Sequence, residues 1–296
     1  MYSPEELEKA KQAGRITAEV LEAAKGFVKP GAKLLDIAER IEAMMREKGA
    51  EPAFPANLSL NSTAAHYTPP KNDATIVQEN DIIKIDIGAH IDGYAGDTAI
   101  TICFNKDYGK MAEASQRALE EAIKECKPEA RLGDLSDAIE NTITSYGYKP
   151  VSNLSGHGIE RYHLHADPQV PNVKTATNYR LQENQVIAIE PFATDGAGRI
   201  KESEQVFIYM LLKPVAVRNP DARKILDFAQ QFNGLPFAER WLPVDSQIKL
   251  RIAMKELRER NAIYNYAVLK EIEGGMVSQF EHTVIIQDPP IVTTRV

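Results

Sequence analysis

An internal repeat constrains the fold of this chain more than any other feature of its sequence. Residues Lys29–Pro52 align without a gap with Lys127–Pro150, and nine of the 24 aligned positions are identical. Each copy predicts a Lys-Pro turn, then an amphipathic helix that ends at a glycine, then an extended segment that reaches a proline. A second match follows, because Glu79–Asp86 shares four of eight residues with Glu183–Glu190. One such match could arise by chance, whereas two in the same order favour a diverged duplication.

The duplication predicts an α+β protein whose two α/β halves pack about a pseudo-two-fold axis. Its second match aligns Asp86 with Glu190, so these two carboxylates would end their strands on either side of a shared central cleft. Clefts between repeated units are common binding sites.

Other segments of the chain are assigned from local signals. Pro4–Gly26 predicts a helix with Ser3 as its N-cap. Ile82–Phe104 predicts a β-hairpin around the dipeptide Asp92-Gly93, which favours a two-residue turn. A helix is expected in the first half at Tyr108–Cys126, before the second copy of the repeat begins.

The second half contains two segments that the first half lacks. Val151–Val170 is rich in histidine and glycine and predicts an irregular stretch. Pro220–Asn261 predicts two helices without a counterpart in the first half, and strands are expected near Tyr266–Ile272 and Val277–Ile286. We therefore expect a single domain over residues 1–296, with a helical insertion at residues 215–265.

Charge and cysteine content exclude several classes of protein. The chain has 42 acidic and 35 basic residues and a formal net charge of −7, which argues against a nucleic-acid binder because such proteins need a surplus of Lys and Arg. Its two cysteines, Cys103 and Cys126, are too few for a disulfide scaffold and predict free thiols in a reducing compartment. Neither a signal peptide nor an apolar run of about 18 residues is present. We expect a cytoplasmic protein that does not interact with membranes.

Two acidic residues lie on one face of the predicted hairpin. If the turn has two residues, Asp86 pairs opposite Ala99, and Asp97 is its diagonal neighbour at a Cβ distance of about 7 Å. Like charges this close are unfavourable unless a cation lies between them, and two divalent ions about 3.5–4 Å apart would fit. In the alternative, one acid is solvated and the other pairs with Lys84, and the hairpin alone does not distinguish the two.

Two more acidic residues lie in apolar strands. Glu190 ends the strand in QVIAIEPF, and Glu281 lies inside VSQFEHTVII. Glutamate is almost never fully buried unless it is paired. A single acid in a core strand can be structural, but four such acids, two of them related by the repeat, point to a common site.

Histidines complete the candidate site. Three of the six lie in SGHGIERYHLHA, and of these His157 is flanked by glycines, a backbone suited to close approach to a ligand. His66 lies in AAHYTPP, which the repeat places where the second half has its histidine cluster. A lone loop histidine is more often structural, but one histidine with four carboxylates suits a dinuclear site for Mn, Fe, Co or Zn.

At these residues the sequence resembles the methionine aminopeptidases, specifically the type II form found in archaea. The resemblance covers almost the whole chain and depends on specific motifs: PAFPANLSLNSTAAHYTP, KIDIGAHIDGYAGDTA, NLSGHGIERYHLHA, IAIEPFAT, LPFAERWL and QFEHTVI. It implies the pita-bread fold, in which helices cover a curved central antiparallel sheet, with the helical insertion that distinguishes type II.

The resemblance also implies a role for each candidate residue. His66 and His165 would contact the substrate carbonyl and the scissile amide, Glu190 would shuttle the proton, and Phe54 would line the pocket for the methionine side chain. The ligands of two divalent metal ions, such as Co, Mn, Fe or Zn, would be Asp86, Asp97, His157, Glu190 and Glu281.

The activity implied is metal-dependent removal of the N-terminal methionine from nascent proteins and peptides, with preference for a small second residue. The enzyme would act in the cytoplasm as a monomer, on nascent chains and so at or near the ribosome. One alternative is a proline-specific dipeptidase or aminopeptidase of the same fold, although such relatives usually carry an extra N-terminal domain. The other is a metal-free pita-bread protein that serves as a binding module for the ribosome or RNA.

Overall fold

A computed structural model describes residues 2–296 of the chain. Its six α-helices are α1 (Pro4–Lys25), α2 (Leu34–Glu47), α3 (Gly109–Lys124), α4 (Leu132–Ser145), α5 (Pro220–Gln230) and α6 (Gln247–Glu259). Short 3-10 helices span Lys106–Tyr108 and Glu239–Trp241. The strands are β1 (Glu51–Pro52), β2 (Asn57–Leu60), β3 (Thr63–Ala65), β4 (Ile82–Ile91), β5 (Tyr94–Cys103), β6 (Lys149–Pro150), β7 (Ser155–Glu160), β8 (His163–Pro171), β9 (Val186–Ile189), β10 (Phe192–Thr194), β11 (Ile200–Leu211), β12 (Phe237–Ala238), β13 (Ile263–Glu271), β14 (Val277–Gln279), β15 (Glu281–Ile285) and β16 (Ile291–Val292).

The two copies of the repeat have the same local structure. Helices α2 and α4 are both 14 residues long, and each is followed by a short strand, β1 or β6. The glycines after them, Gly49 and Gly147, have φ values of 83° and 86°, a left-handed conformation that glycine adopts without steric cost. The prediction of a duplicated helix-turn-strand unit is therefore confirmed.

A nine-stranded antiparallel sheet forms the centre of the molecule. Its main order is β1-β4-β5-β15-β9-β7-β8, with β2 paired to β4 and β16 paired to β15. Helices α1 and α2 pack their apolar faces on β4 through Val20, Ile41 and Ile85, and α3 and α4 pack on β9 and β15 in the same way. The predicted α+β arrangement, with helices covering a central antiparallel sheet, is confirmed.

Helices α5 and α6 form a separate apolar cluster with the strands beside them. Ile225, Leu226, Leu250 and Leu257 are buried in it, together with Phe237 of β12. This cluster packs on a four-stranded sheet of order β12-β11-β13-β3. We propose that residues 215–265 are a helical subdomain inserted within one domain of residues 1–296.

Three local predictions differ from the structure. Val151–Val170 is not irregular, because it contains the antiparallel strands β7 and β8, and β8 has the strict alternation of buried and exposed residues that is typical of a strand. The strand predicted at Val277–Ile286 is divided at Phe280 into β14 and β15, which belong to different sheets. Asp86 lies in the middle of β4 rather than at its end, whereas Glu190 directly follows β9.

Candidate metal centre

The residues proposed for the site from the sequence converge on one cleft. Its volume is about 210 Å³, and it lies at the centre of the large sheet. All of the proposed residues line it: Phe54, His66, Asp86, Asp97, His157, His165, Glu190 and Glu281. They come from both halves of the repeat and from strand β15, so only the folded chain brings them together.

The β4–β5 hairpin places its two acids as predicted. Asp86 is opposite Ala99 and Asp97 is opposite Gly88, while the turn residues Asp92 and Gly93 have φ values of 52° and 87°. Two consecutive positive φ values identify the type I′ turn that fits the twist of paired strands. This turn therefore sets the register that brings both carboxylates to one face.

Three of the candidate ligands form a tight buried group. Asp97, His157 and Glu281 each offer one ligand atom, and these atoms lie within 4.8 Å of one another. Glu190 is next to them, with its Oε1 atom 3.9 Å from Nε2 of His157. The carboxylates related by the repeat, Asp86 and Glu190, are both contacted by the amide nitrogen of Gln279, at 3.4 and 3.3 Å.

Hydrogen bonds outside the cluster fix the orientation of its members. The Nδ1 atom of His157 lies 3.1 Å from the carbonyl oxygen of Gly158, so an Nδ1–H donor leaves the Nε2 lone pair facing the carboxylates. The hydroxyl of Thr283 both accepts from the amide of Asp97 and donates to its carbonyl, each at 2.8 Å. Both contacts hold the side chains in a geometry suited to ligation.

The glycines beside His157 serve a different purpose from the one predicted. A Cβ atom at Gly156 would lie 2.3 Å from the carbonyl oxygen of Ala188, and one at Gly158 would lie 2.1 Å from that of Asp167. The close approach is therefore to neighbouring strands rather than to a ligand. It lets β7 pack tightly between β8 and β9, with His157 at the floor of the cleft.

Asp97 and Glu281 are buried and Asp86 and Glu190 are half-buried, and none of the four has a cationic partner in the described chain. Burial raises the pKa of Asp86 from 3.8 to about 7. Burial, and then repulsion from neighbouring carboxylates, raises the pKa values of Asp97, Glu190 and Glu281 well above their usual range. Within residues 2–296 no Lys or Arg forms an ion pair with any of the four.

Lys84, the alternative partner for the hairpin acids, points elsewhere. Its Nζ atom donates a hydrogen bond to the main-chain oxygen of Asn61 at 2.7 Å, and burial lowers its pKa from 10.5 to about 7. The balance between a metal site and a lysine pair, left open by the hairpin alone, therefore shifts towards a metal site.

His66 and His165 line the cleft beside Tyr266, with their ring centroids 5.3 and 5.7 Å from that of Tyr266. Nδ1 of His66 is 3.2 Å from the carbonyl oxygen of Ala267, and Nδ1 of His165 is 3.5 Å from the hydroxyl of Tyr266. Burial lowers the pKa of His66 to about 4 and lowers that of His165 well below its usual value. Both rings are therefore neutral near pH 7 and can exchange hydrogen bonds with a bound molecule.

The donor set fits divalent metal ions. Carboxylates removed from water cost several kcal/mol each when no opposite charge is present, and here two buried and two half-buried carboxylates line one cleft with His157. The Oδ1 atom of Asp97 is buried and has no hydrogen-bond partner in the described chain, although buried polar atoms are normally paired. Oxygen ligands with one nitrogen suit hard or borderline cations.

Sequence reasoning assigned no role to Gln279, which contacts two of the carboxylates, or to Asn57 and Tyr266, which line the cleft. Gln279 bridges two carboxylates, and its alternation with Glu281 along the chain could have revealed it. Tyr266 is in reach of both histidines, and Asn57 lies directly opposite Asp86 in the β2–β4 pair. For Asn57 and Tyr266 the sequence carries no comparable signal, because their position depends on strand pairing.

Comparison with known proteins agrees with this geometry. A profile of metallopeptidase family M24 matches residues 8–288. The chain belongs to metallopeptidase family M24.

Its relatives include several methionine aminopeptidases. The one from Pyrococcus horikoshii is 46% identical over 98% of this chain and 99% of its own length, and the one from Methanocaldococcus jannaschii is 45% identical over 97% and 98%. The crystal structure of the methionine aminopeptidase from Thermotoga maritima superposes with a TM-score of 0.74 at 25% identity, covering 100% of this chain and 98% of that one. The predicted pita-bread fold and the predicted family are confirmed.

No helix within residues 2–296 is long and apolar enough to cross a membrane.

Proposed function

We propose that this protein removes the N-terminal methionine from nascent proteins and peptides, using two divalent metal ions bound in the central cleft. The observation that carries the proposal is the convergence of His157 with two buried and two half-buried carboxylates that have no cationic partner within residues 2–296. The chain is also 46% identical to a methionine aminopeptidase over nearly its full length. Proteins of family M24 are metallopeptidases, so a metal-dependent hydrolysis fits both observations.

The ions would be held by the buried cluster and the residues beside it. Asp97 and Glu281 are the best candidates for ligands shared by both ions, because they lie together at the centre with His157. Asp86 and Glu190 would complete the set, held in place by Gln279. Two divalent ions of this kind, such as Co, Mn, Fe or Zn, supply Lewis-acid polarisation of a carbonyl group and activation of water near neutral pH.

The residues around the cluster would carry out the proton transfers and stabilise charge. Glu190 lies at the edge of the carboxylate group and is our candidate to accept a proton from the attacking water and pass it to the leaving amine. His66 and His165, which line the same cleft, would donate hydrogen bonds to the carbonyl oxygen and contact the scissile amide. Tyr266 would fix His165 through its hydroxyl.

Apolar residues in the lining of the cleft would select methionine. Phe54, Leu164, Ile208 and Pro236 are among them, and a slender unbranched thioether fits beside such residues. Gly88 makes room for Phe54, because a Cβ atom there would lie 2.5 Å from the ring. One chain supplies every wall of the cleft, so we propose that a monomer is active. We also propose that the protein meets its nascent-chain substrates in the cytoplasm, near the ribosome.

Activity on peptides that begin Met-Ala-Ser tests the proposal. Purified protein loaded with Mn²⁺ or Co²⁺ should release methionine, and EDTA or the variant His165→Ala should abolish the release. His163→Ala is a matched control, because His163 lies two residues away on the same strand with a side chain that is 61% exposed. Full activity in EDTA, or in His165→Ala, would refute the proposal. Faster cleavage of X-Pro than of Met-Ala peptides would favour the proline-specific alternative.

A further inference from the structure

One edge of strand β13 is unpaired where the strand passes the central cleft. On one side β13 pairs with β11 along most of its length. On the other side it pairs with β3 only at Leu269 and Lys270. The next residue after β3 is His66, which has a left-handed backbone (φ 62°), and the chain turns away there. Unpaired strand edges present hydrogen-bonding groups that another extended chain can use.

The hydrogen-bond phase of β13 shows which main-chain groups face this free edge. The amide of Leu212 donates to Ala262 at 2.8 Å, and Tyr264 is opposite Met210 in the same ladder. In an antiparallel pair, alternate residues direct their amide and carbonyl groups towards the partner strand. Tyr264 therefore faces β11, and Asn265 faces away from it.

Two contacts farther along the strand agree with this phase. The carbonyl of Ala267, two residues beyond Asn265, accepts from His66 on the free side at 3.2 Å. Leu269, two residues farther, is opposite Ala65 of β3 on that same side. The amide and carbonyl of Asn265 thus continue the row of groups that His66 and β3 use, and no strand of residues 2–296 is paired with them.

A second cleft of about 330 Å³ runs along this edge. It shares four lining residues with the central cleft, His66, Asn153, Leu154 and Tyr266, so the two are continuous. Every residue from 264 to 267 lines it, although successive side chains of a strand point to opposite faces. The cleft therefore borders the main chain of β13 at these four residues, and it also extends to Ile200, Lys201 and Glu202 of β11.

We infer that the substrate chain beyond its second residue binds in this edge cleft as an extra antiparallel or parallel strand on β13. The main chain of Asn265 supplies the hydrogen bonds. The Oδ1 atom of Asn265 is buried and has no partner in the described chain, and it provides one more acceptor for a peptide amide. This inference rests on the proposed function, because it extends the path of the same substrate.

Main-chain recognition suits an enzyme that acts on many different proteins. Strand addition derives its affinity from backbone hydrogen bonds, and side-chain pockets add specificity only where they exist. The lining of the edge cleft includes Tyr264, which is 48% exposed, and the exposed residues Lys201 and Glu202. Since these two have opposite charges, the cleft favours neither acidic nor basic sequences.

The first experiment varies the substrate on the Mn²⁺-loaded enzyme. From Met-Ala through Met-Ala-Ser to Met-Ala-Ser-Ala-Ala, kcat/KM should rise by about two- to tenfold for each main-chain hydrogen bond gained. N-methylation of the peptide amides, one at a time at residues 3 to 5, should remove one such step at one or two positions. Exchanging Ser and Ala side chains at the same positions should change kcat/KM by less than twofold.

The second experiment varies the enzyme at Asn265, the residue whose main chain faces the free edge. Asn265→Pro removes the amide that faces the free edge without removing a bond to β11, and proline is tolerated at strand edges. The ratio of kcat/KM for the pentapeptide to that for Met-Ala should fall severalfold in Asn265→Pro. It should fall less in Asn265→Ala, which keeps the amide. N-methylation should still lower kcat/KM in Asn265→Pro, because proline keeps the carbonyl that accepts from the peptide amide.

A rate that does not depend on length beyond Met-Ala, or that tolerates N-methylation at all three positions, overturns the inference. If Asn265→Pro fails to fold, the N-methyl series on the unaltered enzyme still decides. Failure of the proposed function has a different signature, because the metal-loaded protein would then release no methionine from any of these peptides.

Discussion

The buried ion pair between Glu42 and Arg240 should be the most sensitive structural contact outside the cleft. Glu42 of α2 and Arg240 of the second 3-10 helix have side chains that are each 3% exposed. Glu42 also accepts from the amide of Ala56 at 3.1 Å and from the indole of Trp241 at 3.0 Å. The pair therefore connects the first half of the repeat to the helical segment at 215–265 and to the loop that carries Phe54.

Breaking this pair on one side leaves a buried charge. Burial raises the pKa of Glu42 in spite of the attraction of Arg240 and lowers the pKa of Arg240 in spite of Glu42. Both shifts mean that loss of hydration outweighs the mutual attraction, which is typical of buried pairs. Glu42→Gln or Arg240→Met should each lower the free energy of unfolding by about 3–5 kcal/mol, or the melting temperature by roughly 10 °C.

The double variant separates the ion pair from its packing. Glu42→Gln with Arg240→Met leaves no buried charge, so it should be more stable than the sum of the single changes predicts, by about 3 kcal/mol. Urea unfolding of metal-stripped protein measures all four states of this cycle. Lys48→Met is the control, because the Lys48–Glu19 pair is 38% and 40% exposed and should contribute less than about 1 kcal/mol. Single variants within 1 kcal/mol of the parent, or additive changes, would refute this reasoning.

Three other variants test the chemistry of the cleft and its surroundings. Asp97→Asn should weaken Mn²⁺ binding at least about 100-fold, as measured by calorimetry. The same change should raise the melting temperature of metal-stripped protein, because it removes one of several crowded buried charges. An unchanged affinity for Mn²⁺ would contradict the assignment of Asp97 as a ligand. Thr283→Val removes the hydroxyl that holds the Asp97 backbone and should weaken Mn²⁺ binding about tenfold while costing about 1–3 kcal/mol of stability; equal losses in metal-free and metal-loaded stability would argue for a purely structural role. Lys84 binds a proton in the unfolded chain up to its usual pKa of 10.5 but releases it near pH 7 when folded, so the free energy of unfolding should rise between about pH 7 and pH 10.5. Lys84→Met should lose that pH dependence and be more stable at pH 7 by up to about 4 kcal/mol. An unchanged slope in urea titrations at different pH would show that Lys84 is not responsible.

The sequence predicted those parts of the fold that local signals determine. The repeat predicted α2 and α4 with their following glycines, because helix period and a left-handed residue depend on a few neighbouring positions. The Asp92-Gly93 turn determined the register of the β4–β5 hairpin and so the relation between Asp86 and Asp97. Ser3 caps α1 as predicted, with Glu6 completing a capping box.

Predictions that needed contacts between distant segments were less complete. The β7–β8 hairpin was missed because the histidines and glycines of Val151–Val170 obscured its alternation. The division of Val277–Ile286 at Phe280 was missed because this segment contributes one strand to each of two sheets. Only the packing of those sheets determines where the chain passes from one to the other. Gln279 acquires its contact with Asp86 and Glu190 from that division.

The sequence by itself determined that four acids and one histidine lie in or beside strands of a duplicated chain. Residue type, spacing and local pattern are enough to show this. The tertiary structure alone decided that these acids and the histidine meet in one cleft, where no lysine or arginine of residues 2–296 pairs with them. A bound cation is therefore the natural counter-charge. The tertiary structure also decided that β3 stops at His66 and leaves the edge of β13 open beside that cleft. Both outcomes depend on which distant strands pair, and strand pairing is set by packing of the whole chain rather than by neighbouring residues.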